Sequence, residues 1–437
     1  MSLLVPWLVF PLVLGALCLG CGALVARLAG LRARAELLLP LGYAAIVVVA
    51  GFLTWIPGTA RLALPAVVGL AAAGVAASWR PQRVSRSGLA ALVAAACVFV
   101  AYGLPVLASG AASFAGYISL DDTATWLALT DRTLEAGRSL HGLAPSSYEA
   151  TLAAYLGTGY PVGGFPPLGI GAKLVGEDVA WVFQPYVAFL AALLALALYA
   201  LARTLVRNLW VAVLIAVVAA QPALLYAYGQ WSGVKEVAAA CLIASCCALA
   251  TARTATGMRG ALPVATAAAA LAGVVSLGGL AWLAAGAALG AALAWRAGIA
   301  RAAAVALLTV VLALPTIGPA HAFLRWGGDV LRRPNDLGNL VRPLNPLQIA
   351  GIWPTSDFRL EPHRFWLTLA LVALVVVLAV AGTAFVVLRR AWAPLAYLTT
   401  SLAGAALFVA IGSPWVDGKA LATASPAVLF AALMGCA

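Results

Sequence analysis

FWLTLALVALVVVLAVAGTAFVVL, residues 365–388, runs for 24 residues without a charge between Arg364 and the pair Arg389-Arg390. Wound as a helix at 1.5 Å per residue it measures about 36 Å, more than the roughly 30 Å of a bilayer's hydrocarbon core. Such a run has no place on a soluble surface, and it is not alone. Apolar segments recur near 5–26, 37–57, 62–79, 88–109, 179–202, 209–228, 234–252, 262–277, 279–295, 302–321, 392–412 and 420–437. With 365–388 they make thirteen. The runs are far too long for barrel strands, and lipid-facing backbone must satisfy its hydrogen bonds internally, which a helix does. The predicted fold class is all-α: a polytopic transmembrane helical bundle forming one multi-span domain over 1–437, with no separate soluble domain.

Composition agrees. Of 437 residues, 64% are apolar and 9% charged, and mean hydropathy is +1.04. A soluble domain carries about 25% charged residues. A chain this poor in charge cannot cover its own surface with polar groups, so soluble and disordered classes are excluded. All seven cysteines lie in or beside apolar runs. They read as small packing residues and imply neither a disulfide nor a metal framework.

The net charge of +12 suggests a nucleic-acid partner only until the loops are sorted. Arg27, Arg32, Arg34, Arg80, Arg83, Arg86, Arg203, Arg207, Arg253, Arg259, Arg296, Arg301, Arg389 and Arg390 fall in every second loop, with Glu36 as the one acid among them. The alternate loops hold 12 basic and 13 acidic residues. That partition is the positive-inside pattern. It places the Arg loops in the cytoplasm and the N-terminus outside, and it requires 262–277 and 279–295 to cross separately, turning at Ser276-Leu277-Gly278-Gly279. The first span lacks a basic leading region and reads as an uncleaved anchor. The chain stops within an apolar segment, as a fragment would. The predicted location is a bacterial cytoplasmic (inner or plasma) membrane, the abundant Ala and Arg over Lys pointing to a GC-rich genome.

Most polar chemistry then lies outside, in loops 110–178 and 322–364. The first contains Leu120-Asp121-Asp122-Thr123-Ala124-Thr125-Trp126. From Asp122 to Gly137 an amphipathic helix is expected, with Trp126, Leu127, Thr130 and Leu134 on one face and Asp131, Glu135 and Arg138 on the other. It would lie on the membrane surface with Trp126 at headgroup level. Asp121-Asp122 reads either as an N-cap or as a general base or metal ligand, because adjacent carboxylates repel and tune one another's proton affinity. Ser146-Ser147-Tyr148-Glu149 is a capping box opening a second helix. The Gly- and Pro-rich stretch 157–173 is not a phosphate loop, since Ile170 stands where Lys is needed. It reads as a rigid loop presenting Tyr160 and Phe165 to a sugar or lipid groove.

The second outside loop is dense in charge: Arg325, Asp329, Arg332, Arg333, Asp336, Arg342, Asp357, Arg359, Glu361, His363 and Arg364, interleaved with Trp326, Trp353 and Phe358. Guanidinium forks suit a lipid phosphate, while a solvated face is the plainer reading. Gln230-Trp231-Ser232-Gly233-Val234-Lys235-Glu236 and Ser413-Pro414-Trp415-Val416-Asp417-Gly418-Lys419 enter spans from the same side, either snorkelling or joining the site.

The Asp pair in the first large outside loop, followed by a helix parallel to the membrane, resembles the GT-C superfamily of integral membrane glycosyltransferases. The resemblance implies transfer of a sugar from a polyprenyl-phosphate donor to a glycan, lipid or protein acceptor outside the membrane. Asp121 or Asp122 would be the base and Arg332, Arg333, Arg342, Arg359 and Arg364 the phosphate ligands. Tyr160, Phe165, Lys235, Glu236, Trp353, Asp357, His363 and Trp415 would line the substrate groove. It admits a divalent metal at Asp121 and Asp122, although the three His residues (141, 321 and 363) are scattered and no metal site is assigned. Expected partners are membrane lipid, the lipid-linked sugar and the acceptor, and not nucleic acid. Two other readings stay open: a transporter or flippase for a lipid-linked saccharide, and a non-catalytic assembly subunit.

Overall fold

The computed structural model describes residues 2–31, 35–78, 85–252, 255, 257–331, 333 and 335–436, apart from the side chains at 121, 289–298, 326, 327 and 329–331. It is 77% helix, without a strand among the described residues. Seventeen α-helices follow one another: α1 (Phe10–Leu28), α2 (Leu38–Trp55), α3 (Ala63–Ser78), α4 (Arg86–Ser109), α5 (Asp121–Ala136), α6 (Ser147–Leu156), α7 (Pro166–Val175), α8 (Val179–Ala202), α9 (Leu209–Ala219), α10 (Ala223–Gln230), α11 (Val234–Ala250), α12 (Gly257–Val275), α13 (Gly278–Leu312), α14 (Leu314–Leu331), α15 (Phe365–Leu388), α16 (Trp392–Ile411) and α17 (Pro414–Met434). Among the described residues nine helices are long and apolar enough to cross a membrane, or up to eleven if each bent pair is one span.

This departs from thirteen spans in several places, and α11, at 17 residues, is not among the nine. Helix α13 continues through 296–301, so the predicted loop between 279–295 and 302–321 does not exist; Ala-rich sequence sustains a helix through two arginines. Segment 209–228 is broken by 59° between α9 and α10, where Pro222 withholds an N–H. A second break, of 76°, separates Leu312 from Leu314. The last segment begins at Pro414 and not at 420, which puts Trp415 and Lys419 inside the first turns of α17.

Helix α8 is the hub, buried along its whole length, whereas α15 is only 22% buried and turns Leu374, Val377, Val380 and Leu388 outward. Outward aliphatic faces are what lipid solvates. Helices α1, α2 and α3 meet backbone to backbone. A Cβ on Gly42 would stand 1.6 Å from the Cys18 carbonyl oxygen, and one on Gly74 1.9 Å from that of Gly20. Only glycine permits such crossings.

The bundle has two distinct ends. At one, the Ala255 N–H donates to the Ala29 carbonyl, Gly22 faces Leu38, and the Ser87 and Tyr199 hydroxyls meet at 3.1 Å. The arginines at 27, 86, 203, 207, 259, 389 and 390 belong to this end. At the other, Ala115 N–H donates to Ala180, Ile118 to Gln230 and Trp415 to Asp336, and Gly137 packs on Thr54. Arg32, Arg34, Arg80, Arg83 and Arg253 lie outside the described residues.

Candidate active site

At that second end, α5 begins with Asp121 and Asp122 as its first two helical residues, while Leu120 occupies the N-cap position. The pair is therefore not a cap, and Asp121 does not precede the helix. The side chain of Asp121 lies outside the described residues. The carboxylate of Asp122 is half-buried, and its Oδ2 accepts a hydrogen bond from Asn339 Nδ2 at 3.1 Å.

The apolar face of α5 packs on protein and not on a membrane surface. Trp126 is buried between Tyr160 and Phe165, with ring centroids at 5.5 and 5.2 Å and planes within 18°. Thr123, Leu129, Thr130 and Leu134 are buried beside it, and Asp131 and Glu135 are exposed opposite. Offset stacking of three rings fixes the Trp126 plane. The Gly/Pro stretch that read as a loop becomes helical from Pro166, because proline is preorganised for a first helical turn. Phe165 is fully buried behind Trp126 and so does not face a groove. Burial also pushes the Tyr160 hydroxyl up, keeping it neutral.

Asp122 and Trp126 line an open cleft of about 390 Å³ together with Leu120, Tyr228, Trp231, Ser232, Gly233, Lys235, Glu236, Asn339, Trp415 and Lys419. Four separated segments supply it. The Thr123 and Ser232 hydroxyls hydrogen-bond, pinning the start of α5 to the turn between α10 and α11. Lys235 Nζ donates to the Tyr160 hydroxyl and lies 3.8 Å from that ring's centroid. Glu236, buried, pairs with Lys419 at 3.5 Å, and Lys419 Nζ is 4.5 Å from the Trp415 ring. The loop 335–364 closes one side. Arg359 stacks 4.2 Å over Trp231, forks onto Asp357 (Nη2 to Oδ2 2.6 Å) and donates through Nη1 to the Asn339 carbonyl at 3.3 Å. That fork holds the Asp357 carboxyl below the usual carboxylate range. A relay of contacts thus runs Asp357, Arg359, Asn339, Asp122.

The other predicted residues are placed elsewhere. Arg342 pairs with Glu361 at 3.3 Å, both half-exposed. Arg333, His363 and Arg364 are exposed and do not line the cleft. Arg332 lies outside the described residues. Trp353 is buried, donating its indole N–H to the Leu360 carbonyl at 2.9 Å, and so anchors the loop. Asn339, the partner of Asp122, carries little signal in the sequence. Its one cue is the preceding turn, in which Asp336 Oδ1 accepts the Gly338 N–H. Among the described residues no three His, Cys, Asp or Glu side chains are grouped to hold a metal.

The arrangement offers one half-buried carboxylate lining the cleft, two lysine side chains, and flat aromatic walls. A carboxylate can take a proton from a hydroxyl; ammonium groups can hold a phosphate; indole and phenol faces suit the C–H faces of a sugar. In comparison with known proteins, no family model, curated protein or solved structure matches this chain.

Proposed function

We propose that the cleft is the active site of an integral membrane glycosyltransferase that moves a sugar from a polyprenyl phosphate to a cell-envelope acceptor. The observation that carries the reading is Asp122, a carboxylate held by Asn339 at the mouth of a cleft walled by Trp126, Trp231 and Trp415. The acceptor oxygen attacks the anomeric carbon from the face opposite the phosphate while Asp122 takes its proton. The bond from that carbon to the phosphate oxygen breaks, and the lipid phosphate leaves with the electron pair. Its low-pKa oxygen needs no general acid. Lys235 and Lys419 stabilise the departing charge, and Arg359 contributes from the rim. Arg333, Arg342 and Arg364, on the same loop, attract the anionic donor toward the cleft. The Arg-rich end faces the cytoplasm by the positive-inside rule, so the cleft opens on the far side of the cytoplasmic membrane, with the N-terminus there too.

The test uses the purified full chain with a panel of radiolabelled polyprenyl-phosphate sugars and membrane-derived acceptors. Label moves from the lipid donor into acceptor if the proposal holds. Movement of intact donor across a vesicle bilayer without transfer would instead establish a flippase.

A further inference from the structure

A second cavity, of about 530 Å³, opens between α2, the backbone of 159–163, the end of α12 and the break between α13 and α14. That space includes its opening to solvent. Its walls are Val47, Gly51, Trp55, Val162 and Pro315 among other apolar groups, and Arg138 is the one charged residue lining it. Arg138 arrives there because Gly137, at φ +63°, turns the chain out of the α5 axis, so the side chain leaves the helix's polar face. One arm is satisfied: Nη2 donates to the Tyr160 carbonyl at 2.8 Å. The other, Nη1, is buried and has no acceptor. No carboxylate pairs with this guanidinium among the described residues. Burial pushes it down to about 10, which leaves it charged at neutral pH.

A partly buried cation without a counter-charge carries a desolvation cost, and a buried charged donor without an acceptor adds to it. An anion in the cavity removes both penalties. The walls determine what must accompany it, since a hydrated inorganic ion gains nothing from Val47, Gly51 and Pro315. We propose that this cavity binds an anionic amphiphile, its phosphate or carboxylate on Arg138 and its hydrocarbon chain along α2 and the α13–α14 break. The site is distinct from the cleft of Asp122 and stands without the glycosyl-transfer reading.

The experiment is photolabelling of the full chain in neutral detergent with a diazirine-bearing dodecyl phosphate. Saturable labelling should map to peptides containing 47–55 or 312–316. Dodecyl phosphate should compete, and inorganic phosphate and dodecanol should not. Arg138→Gln should weaken competition at least about tenfold, the loss expected for a charge-assisted hydrogen bond, and Arg138→Lys should recover part of it. Gly51→Leu, where a Cβ meets only Pro315 at 3.9 Å, fills the cavity and leaves the guanidinium in place. It should weaken labelling similarly, and it decides the matter if Arg138→Gln does not purify as a monodisperse protein. Undiminished labelling in either variant overturns the site. Competition by inorganic phosphate or dodecanol as strong as by dodecyl phosphate overturns the amphiphile.

Discussion

Asp122→Asn separates a base from a structural carboxylate. The substitution keeps shape, and the new amide oxygen can still accept from Asn339 Nδ2, now 3.1 Å from Oδ2. What the fold loses is the attraction of a negative charge for the helix N-terminus, about 0.3–1 kcal/mol at the second helical position. What the reaction loses is proton abstraction, about 10²–10⁴ in rate, or roughly 2.7–5.4 kcal/mol of barrier. The two effects differ severalfold, so they can be read apart on one preparation. Initial rates of sugar transfer should fall at least about a hundredfold, while the thermal unfolding midpoint moves by a few degrees at most and donor binding is retained. Asp121→Asn is the companion, expected to be milder. Transfer within threefold of wild type in both single variants and in the double variant would refute Asp122 as base. A rate loss matched by loss of folded protein would refute it as well.

Topology is checked by thiol labelling of intact cells after removing the exposed Cys97 and Cys436: Ser147→Cys should react and Arg389→Cys should not. Lys419→Met leaves the buried Glu236 without its partner and should cost about 1–3 kcal/mol, less than a fully buried pair because Lys419 keeps 29% of its side chain exposed. Adding Glu236→Gln should restore most of that stability in a thermal melt but not donor affinity. Asp357→Asn should lower stability at neutral pH by about 1 kcal/mol. Because Arg359 depresses the Asp357 carboxyl in the folded state, that contribution is present above the ordinary Asp value near 3.9 and is lost as pH falls through the lower folded value. Melts of wild type and variant should therefore converge only in strong acid.

Hydropathy located α8 and α15 to the residue, since a run of apolar side chains bounded by polar ones has the same limits in lipid as in sequence. It did not locate the bends at Pro222 and Ala313 or the continuity of α13, which depend on backbone hydrogen bonding and neighbouring helices and not on transfer energy. The candidate site divides similarly. Asp121-Asp122, the 230–236 turn and the 413–419 helix start are each conspicuous as polar groups at span ends, and their residues Asp122, Lys235, Glu236, Trp415 and Lys419 line one cleft. Asn339 and Trp126 acquire their places through long-range packing, which no local pattern encodes. Arg138 is instructive. Helical periodicity assigns it to the solvent face with Asp131 and Glu135, but the period ends at Gly137, and the side chain beyond it turns inward.

The pairing of Glu236 with Lys419 also constrains how the protein is made. The carboxylate is synthesised at the start of α11, and its partner follows 183 positions later on α17. During synthesis at about 5–20 residues per second, Glu236 must wait roughly ten to forty seconds before Lys419 reaches it. The Glu236–Lys419 pair therefore forms only once α17 has docked. The cleft is closed by the same event, so a ribosome-bound chain stalled before residue 414 holds Asp122 in an unfinished wall.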